Sequence, residues 1–202
     1  SQILFGEKFK ILHKKKNWLN IKVKSDNYTG YIKNNNFSKK FKPKYKCFNL
    51  KTKIFKKNKF NKPVSDKSFL PFNSRVSIIN KKKKFIEFKK NKWIKKTDLK
   101  LINHKETNFE KILMKFKGTK YIWGGKTFNG IDCSALVQLY YNYNNKFFPR
   151  DTKDQIKIKT GIKTSNKFKK GSIIYWKGHV AVCINSKKLI HAYGPMKRVV
   201  IM

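Results

Sequence analysis

The sequence has no long apolar stretch and few cysteines. Its longer apolar segments, such as residues 70–72 and 180–184, fall far short of the ~18 residues that a membrane-spanning helix requires. We therefore expect no membrane insertion. The three cysteines, Cys47, Cys133 and Cys183, lie far apart, which excludes an even disulfide framework and gives no metal-ligand spacing. No metal or cofactor is expected.

Acidic residues are also scarce, with 10 against 51 lysines and arginines and a formal net charge of +41. A charge of this size is typical of nucleic-acid or membrane-surface binding. Only Arg75, Arg150 and Arg198 are arginines, however, although forked recognition of phosphates and bases favours arginine over lysine. The abundance of Lys, Asn, Ile, Phe and Tyr favours drift toward AT-rich codons, and we expect no specific nucleic-acid partner.

The residue types that resist such drift are concentrated in the second half of the chain. All three alanines and eight of the ten glycines follow Lys117. The chain is nevertheless 39% hydrophobic throughout, with 17 Phe, which excludes a disordered basic tail. We therefore expect several small folded units, with the chemistry in the C-terminal one.

The N-terminal half has the alternating pattern of β-strands. Trp18 to Val23 alternates between apolar and polar residues, as a half-buried strand does. Two small barrels are expected, over residues 1–46 and, less regularly, 47–103. The first resembles a bacterial SH3-like domain through Gly6-Glu7-Lys8-Phe9-Lys10-Ile11-Leu12, then Trp18, then Gly30-Tyr31-Ile32.

A short helix is predicted between the two halves. Thr107 and Glu110 have the spacing of a capping box, and Ile112, Leu113 and Phe116 follow at helical spacing. We expect this helix to end at Gly118.

Cys133 follows a glycine-rich loop and begins a segment with helical periodicity. Leu136, Leu139, Tyr140 and Tyr143 would form its buried stripe. Backbone amides in the first helical turn favour a negative sulfur, but the dipole contributes only about 1 kcal/mol, less than one pKa unit. A cationic partner must supply the rest if Cys133 is to act as a thiolate.

Two histidines are candidates for that partner. His179 begins the strand-like segment Gly178-His179-Val180-Ala181-Val182, and His191 lies in the next one, after a turn. Neighbouring antiparallel strands would bring the two rings together, so that His191 fixes the tautomer of His179. Cys133, His179 and His191 would then be the nucleophile, the base and the orienting residue of a thiol catalyst.

Several separated motifs occur in the order of a known family. They are Tyr121-x-Trp123-Gly124-Gly125, Asp132-Cys133-Ser134, Pro149-Arg150-Asp151-Thr152-x-x-Gln155, Gly178-His179-Val180 and Ile190-His191-Ala192. Residues 104–202 thereby resemble the NlpC family of papain-like cysteine peptidases. The resemblance implies an α+β domain with helices packed on an antiparallel sheet, and hydrolysis of the bond between the side chain of D-glutamate and meso-diaminopimelate or lysine.

The resemblance also implies roles for individual residues. Tyr121 would place its hydroxyl near the thiol, and Asp132 and Ser134 would line the substrate site. Trp123 is expected to form a wall of the cleft, where Gly124 lets the backbone approach the ligand. Arg150 either braces the neighbouring helix or binds a substrate carboxylate.

Two departures from the family pattern stand near the site. Ala135 replaces the glycine that usually follows Asp-Cys-Ser, and Ser172 replaces the aspartate usual after Gly171. Neither is expected to abolish the chemistry.

Two other functions fit the same residues. The first is a related thiol amidase or acyltransferase, and the second is an inactive polyanion-binding protein. The partner expected here is a peptidoglycan peptide or muropeptide, acted on by a monomer. We expect a cytoplasmic enzyme of wall-peptide recycling, or a periplasmic one if a leader has been removed.

Overall fold

The first region is a three-stranded antiparallel sheet. The computed structural model describes residues 1–34, 37–38, 41–60, 62–158 and 167–202. In the order β1-β2-β3, the strands are β1 (Phe9–Lys15), β2 (Trp18–Val23) and β3 (Thr29–Lys33). Leu19, Ile21 and Val23 are buried on one face of β2, which confirms the predicted alternation.

The second region contains two further sheets around one apolar core. Its strands are β4 (Tyr45–Cys47), β5 (Lys51–Lys57), β6 (Pro63–Pro71), β7 (Arg75–Val76), β8 (Asn80–Lys81), β9 (Phe85–Lys89), β10 (Lys92–Lys95) and β11 (Leu99–Leu101). The sheet orders are β6-β5-β10-β9-β8 and β11-β4-β7. The expected boundary after residue 46 cuts β4, whose pairing with β7 and β11 places all of it in the second region. Closure of each region as an SH3-like barrel stays a prediction.

The connecting helix begins one residue later than the capping box predicts. Helix α1 spans Phe109–Leu113, and its N-cap is Asn108, whose side chain accepts from the backbone N–H of Lys111. The prediction of Thr107 as the cap was therefore wrong, because asparagine is an equally good N-cap and lies closer to the apolar stripe. A 3-10 turn, Met114–Phe116, follows, and Gly118 has a φ of +79°, so the helical segment ends where expected.

The C-terminal part is an α+β unit. It contains β12 (Lys126–Thr127), β13 (Gly130–Ile131), α2 (Cys133–Tyr143), α3 (Thr152–Gln155), β14 (Ile173–Trp176), β15 (His179–Cys183), β16 (Leu189–Tyr193) and β17 (Arg198–Ile201). The last four strands form one antiparallel sheet in chain order, and α2 contacts β15 and β16. In the described parts of the chain, no helix is both long and apolar enough to cross a bilayer.

Residues from the N-terminal half complete the core under α2. Leu4 and Phe72 belong to the same buried cluster as Leu136 and Tyr143. Phe72 stacks on the Tyr143 ring at a centroid distance of 5.0 Å. The N-terminal regions are therefore packed onto α2 and are not merely tethered to it.

Candidate active site

Cys133 occupies the first position of α2, as predicted. Asp132 is the N-cap, with extended backbone angles, and its Oδ1 accepts the backbone N–H of Ala135 at 2.8 Å. An aspartate cap satisfies one of the amides that lack a partner at a helix start. The sequence Asp-Cys therefore fixes the thiol at the positive end of the helix.

The Cys133 thiol is nearly buried, with 5% of the residue exposed. Burial raises its pKa, while the backbone N–H groups of Val180 and Ser134 and the side chain of Thr152 act in the opposite direction. The raised pKa agrees with the expectation that helix amides alone do not produce a thiolate. An imidazolium partner is still required.

Val180 connects the nucleophile to the candidate base. Its backbone N–H lowers the pKa of the Cys133 thiol, and it directly follows His179 at the start of β15. β15 also contacts α2, the helix that Cys133 begins. Sequence reasoning identified His179 but missed the influence of Val180 and Thr152 on the thiol, because a backbone amide and a threonine at α3 leave no distinctive spacing.

His179 and His191 are hydrogen-bonded through His179 Nε2 and His191 Nδ1 at 2.7 Å, which confirms the predicted pairing. Antiparallel pairing of β15 with β16 produces this contact. With Nε2 occupied, Nδ1 of His179 is the nitrogen left for the thiol. Burial lowers the pKa of His179, and burial together with the charge of His179 lowers the pKa of His191 to about 4. His191 is thus neutral near pH 7 and suits an orienting role.

Met202 explains the direction of this hydrogen bond. His191 Nε2 lies 3.2 Å from the Met202 sulfur, and a thioether sulfur can only accept a hydrogen bond. His191 therefore carries its proton on Nε2 and presents a lone pair at Nδ1, which accepts the N–H of His179 Nε2. Nδ1 of a neutral His179 then has the lone pair that can accept the Cys133 proton. Met202 was not predicted from the sequence.

Asp132, Ser134 and Arg150 form a buried polar cluster beside the thiol. Arg150 Nη1 and Nη2 donate to the two Asp132 oxygens at 2.9 and 2.6 Å, and Nη1 donates to Ser134 Oγ at 2.8 Å. Only 3% of Arg150 is exposed. This geometry favours the bracing role of Arg150 over contact with a substrate carboxylate. Direct substrate contacts by Asp132 and Ser134 stay predictions.

The glycine-rich loop before α2 is held by the same cluster. Asp132 Oδ2 accepts the Gly124 N–H at 2.8 Å, and Gly124 has a φ of +76°. A Cβ on Gly125 would lie 2.5 Å from the Gly130 carbonyl oxygen, so the loop tolerates no side chain there. Trp123 is 90% exposed, which excludes a core position and leaves its ring available as the predicted cleft wall.

Tyr121 is half-buried just before the glycine-rich loop. Burial raises the pKa of its hydroxyl, and the neighbouring charges of Cys133 and Asp132 raise it further. The phenol is therefore protonated at neutral pH and can donate a hydrogen bond toward the reacting carbonyl. A role in stabilising the intermediate stays a prediction.

The first residues of the chain lie against this loop, an arrangement that sequence reasoning missed. Gln2 Oε1 accepts the backbone N–H of Lys126 at 2.7 Å, and Ser1 Oγ accepts from Arg150 Nε at 3.1 Å. The Ser1 nitrogen is 3.1 Å from where a Cβ on Gly124 would stand. Ser1 and Gln2 therefore occupy space beside Gly124 and narrow the candidate active site there.

The fold and site together define a thiol hydrolase domain, with a cysteine at a helix start and two paired histidines on adjacent strands. Residues 118–202 match the family described as the NlpC/P60 family, and residues 1–37 match the bacterial dipeptidyl-peptidase SH3 domain. The C-terminal part of the chain is therefore an NlpC/P60 domain, preceded by a bacterial SH3 domain.

Individual relatives are consistent with these matches. Dipeptidyl-peptidase 6 of Lysinibacillus sphaericus is 31% identical over 85 residues, 42% of this chain and 31% of the relative. Gamma-D-glutamyl-L-lysine dipeptidyl-peptidase of Bacillus subtilis (strain 168) is 24% identical over 213 residues, 95% of this chain and 71% of the relative. A crystal structure of an NlpC/P60 family protein from Bacillus cereus ATCC 10987 superposes with a TM-score of 0.81 at 20% identity, covering 99% of this chain and 75% of that one, which confirms the fold. The chain thus spans about a third of the first relative and under three quarters of the second.

Proposed function

We propose that this protein is a cysteine peptidase that hydrolyses the bond between the γ-carboxyl of D-glutamate and a diamino acid in peptidoglycan-derived peptides. The observation that carries the proposal is the hydrogen bond between His179 and His191 on adjacent strands. Val180, directly after His179, lowers the pKa of the Cys133 thiol through its backbone N–H. The printed activity of the Bacillus subtilis relative supports the choice of bond, with meso-diaminopimelate or lysine as the diamino acid.

The chemistry follows from the roles of three side chains. His179 removes the thiol proton, and the Cys133 thiolate attacks the γ-carbonyl carbon. The Cys133 backbone N–H, at the first helical position, and the protonated Tyr121 hydroxyl stabilise the oxyanion. The C–N bond then breaks as His179 gives its proton to the leaving amine, and a thioester remains. Water, deprotonated by His179, attacks the thioester, the C–S bond breaks, and the free γ-carboxylate leaves.

The N-terminal regions act in this proposal as a restriction on substrate length. Ser1 and Gln2 lie against the loop that holds Gly124, and Leu4 and Phe72 are packed into the core under α2. A rigid wall at one side of the site favours short peptides with a free N-terminus over polymeric wall. In this proposal the second region, formed by β4 to β11, is a further SH3-like unit that contributes to the same restriction on substrate length.

The proposal is tested on the tripeptide L-Ala-γ-D-Glu-meso-diaminopimelate and its lysine counterpart. The full-length chain should release the free diamino acid, measured by mass spectrometry. Cys133→Ala and His179→Ala should each reduce kcat by at least about 10³-fold, as loss of a nucleophile or its base does. Cys183→Ala serves as the matched control, because Cys183 is a buried cysteine on the same strand as His179 and has no catalytic role in this proposal.

Two results would contradict the proposal. Retention of hydrolysis by Cys133→Ala would remove Cys133 as the nucleophile. Turnover of simple amides or esters without turnover of the γ-glutamyl peptides would instead indicate the related amidase or acyltransferase.

A further inference from the structure

The proposed chemistry requires His179 in its protonated form when Cys133 becomes a thiolate. Burial lowers the pKa of His179 and therefore disfavours that form. The structure describes all ten acidic residues, and none of them forms an ion pair with His179 or His191. Stabilisation of the imidazolium must therefore come from groups other than a carboxylate.

Trp176 stands directly opposite His179 in the C-terminal sheet. The two residues pair at the end of β14 and the start of β15, on either side of the turn at residues 177–178. Directly opposed residues of antiparallel strands point to the same face of a sheet. Their ring centroids are 5.7 Å apart and the ring planes are inclined by 34°, so the two rings are closer to stacked than to edge-to-face.

The Trp176 side chain contributes little to the apolar core. It is 47% exposed, and it belongs to none of the apolar clusters in the described parts of the chain. Ile173 and Tyr175, on the same strand, do pack against the core under α2. Among the described aromatic residues, the ring in contact with Trp176 is that of His179. The position of Trp176 therefore serves His179 more than the stability of the sheet.

Tyr193 flanks His179 from the strand on the other side. Pairing of Val182 with Ile190 places Tyr193 opposite His179, and the two ring centroids are 6.0 Å apart at an angle of 61°. Tyr193 also stacks on the His191 ring, with a centroid distance of 4.8 Å and an angle of 17°. Tyr193 therefore fixes the orienting ring, while Trp176 lies along the ring of the base itself.

Other ionisable side chains on the elements around His179 lie at the start of α2, on β16, in the turn before β15 and on β17: Cys133, His191, Tyr193, Lys177 and Arg198. His191 is neutral near pH 7, since its pKa is about 4. Lys177 and Arg198 are exposed, and the lowered pKa of His179 is caused by burial and not by their charges. Trp176 is thus the neighbour whose contact can favour the protonated ring before the thiolate forms.

We propose that Trp176 is a positioning residue that stabilises the protonated form of His179 through a cation–π contact, a role that rests on the proposed peptidase function. A cation within about 6 Å of a ring centroid is attracted to the π face, most strongly for tryptophan and more so where water is excluded. Neutral imidazole lacks this charge, so the contact favours the imidazolium and with it the Cys133 thiolate.

The test is an NMR titration of the histidine Cε1–H signals of the full chain against pH, with the His179 signal assigned from His179→Gln. Trp176→Leu should reduce the proton-binding constant of His179 about three- to tenfold, and Trp176→Phe, which keeps a weaker π face, about twofold. Alkylation of Cys133 by iodoacetamide at pH 6 should slow by the same factors. Trp18→Leu is the matched control, because Trp18 is 46% exposed at the start of β2 and should change neither quantity.

Neither measurement uses the peptide substrate, so loss of this contact is distinguishable from failure to hydrolyse the γ-glutamyl bond. An unchanged proton-binding constant in Trp176→Leu would overturn the proposal, even if kcat/KM fell. A raised KM for the γ-glutamyl tripeptide with that constant unchanged would make Trp176 a wall of the substrate site and overturn it too. Equal losses in Trp176→Leu and Trp176→Phe would also overturn it, because the phenyl ring retains part of a cation–π contact.

Discussion

Replacing Arg150 tests whether the buried cluster beside Cys133 positions the nucleophile. The Arg150–Asp132 pair is out of solvent, with 2% and 6% of the two side chains exposed. Removing one partner of such a pair typically costs about 3–5 kcal/mol, because the remaining charge stays buried. In Arg150→Met, Asp132 keeps the N–H groups of Gly124 and Ala135 and the hydroxyl of Ser134. We therefore expect Arg150→Met to lose stability at the lower end of this range, about 3 kcal/mol.

The measurement is hydrogen exchange of the α2 amides, which reports the free energy of opening of that helix. Arg198→Met is the matched control, since Arg198 is exposed at the start of β17 and should change this free energy by less than about 0.5 kcal/mol. Arg150→Met should also lower kcat at least tenfold, because Asp132 holds both the glycine loop and the first turn of α2.

The double variant Asp132→Asn with Arg150→Met distinguishes a charge pair from loss of packing. The neutral amide needs no cation and its oxygen still caps α2, so the double variant should be about 1–3 kcal/mol more stable than additivity predicts. The bracing role of Arg150 would be refuted if Arg150→Met lowered the free energy of opening of α2 by less than about 1 kcal/mol. Strict additivity of the two single-variant effects in the double variant would refute it as well.

Three further predictions concern other residues. Met202→Leu should lower kcat several-fold, because the proton of His191 is then no longer held on Nε2. Met202→Gln restores a hydrogen-bond acceptor and should restore kcat. An unchanged kcat in Met202→Leu would contradict the tautomer assignment. Tyr121→Phe should lower kcat by about 10²-fold with little change in melting temperature, as loss of an oxyanion donor does; an unchanged kcat would exclude that role. Burial lowers the pKa of Lys46 to about 7, whereas in the unfolded chain it is about 10.4. Between these two pH values the unfolded chain binds one more proton than the folded chain does. The free energy of unfolding therefore rises with pH, by at most about 1.4 kcal/mol per pH unit. Lys46→Met should lose this slope in urea denaturation at pH 7 to 9, whereas Lys44→Met, at an exposed position, should keep it.

The thiol and the two histidines could be predicted because their signals are local. Asp132 and Cys133 mark a helix start through capping chemistry, and the alternation around His179 and His191 marks two strands separated by a turn. Adjacent antiparallel strands bring such side chains together without further information. The periodicity was therefore sufficient to predict the pairing of the two histidines and the buried face of α2.

Contacts between distant segments could not be predicted in the same way. The apolar pattern does not predict strand β6, because its middle is polar, and Asp66 is paired there with Lys92 and Lys56 from other strands. The docking of Ser1 and Gln2 on the glycine loop depends on how the regions pack, which no local pattern encodes. Such partners become visible only when the fold is known.

The buried acids of this chain are more informative than its many lysines. Of the ten acidic residues, Glu7, Asp26, Asp66 and Asp132 are buried, although acids of this kind are seldom buried unless paired. Glu7 and Asp26 lie 3.0 and 3.8 Å from Lys126, at the contact between the first region and the NlpC/P60 domain. In a chain this rich in lysine, a buried carboxylate marks a place where the fold accommodates a negative charge. At Asp132 that place is the start of α2, and at Glu7 and Asp26 it is the junction that holds the N-terminal region against the NlpC/P60 domain.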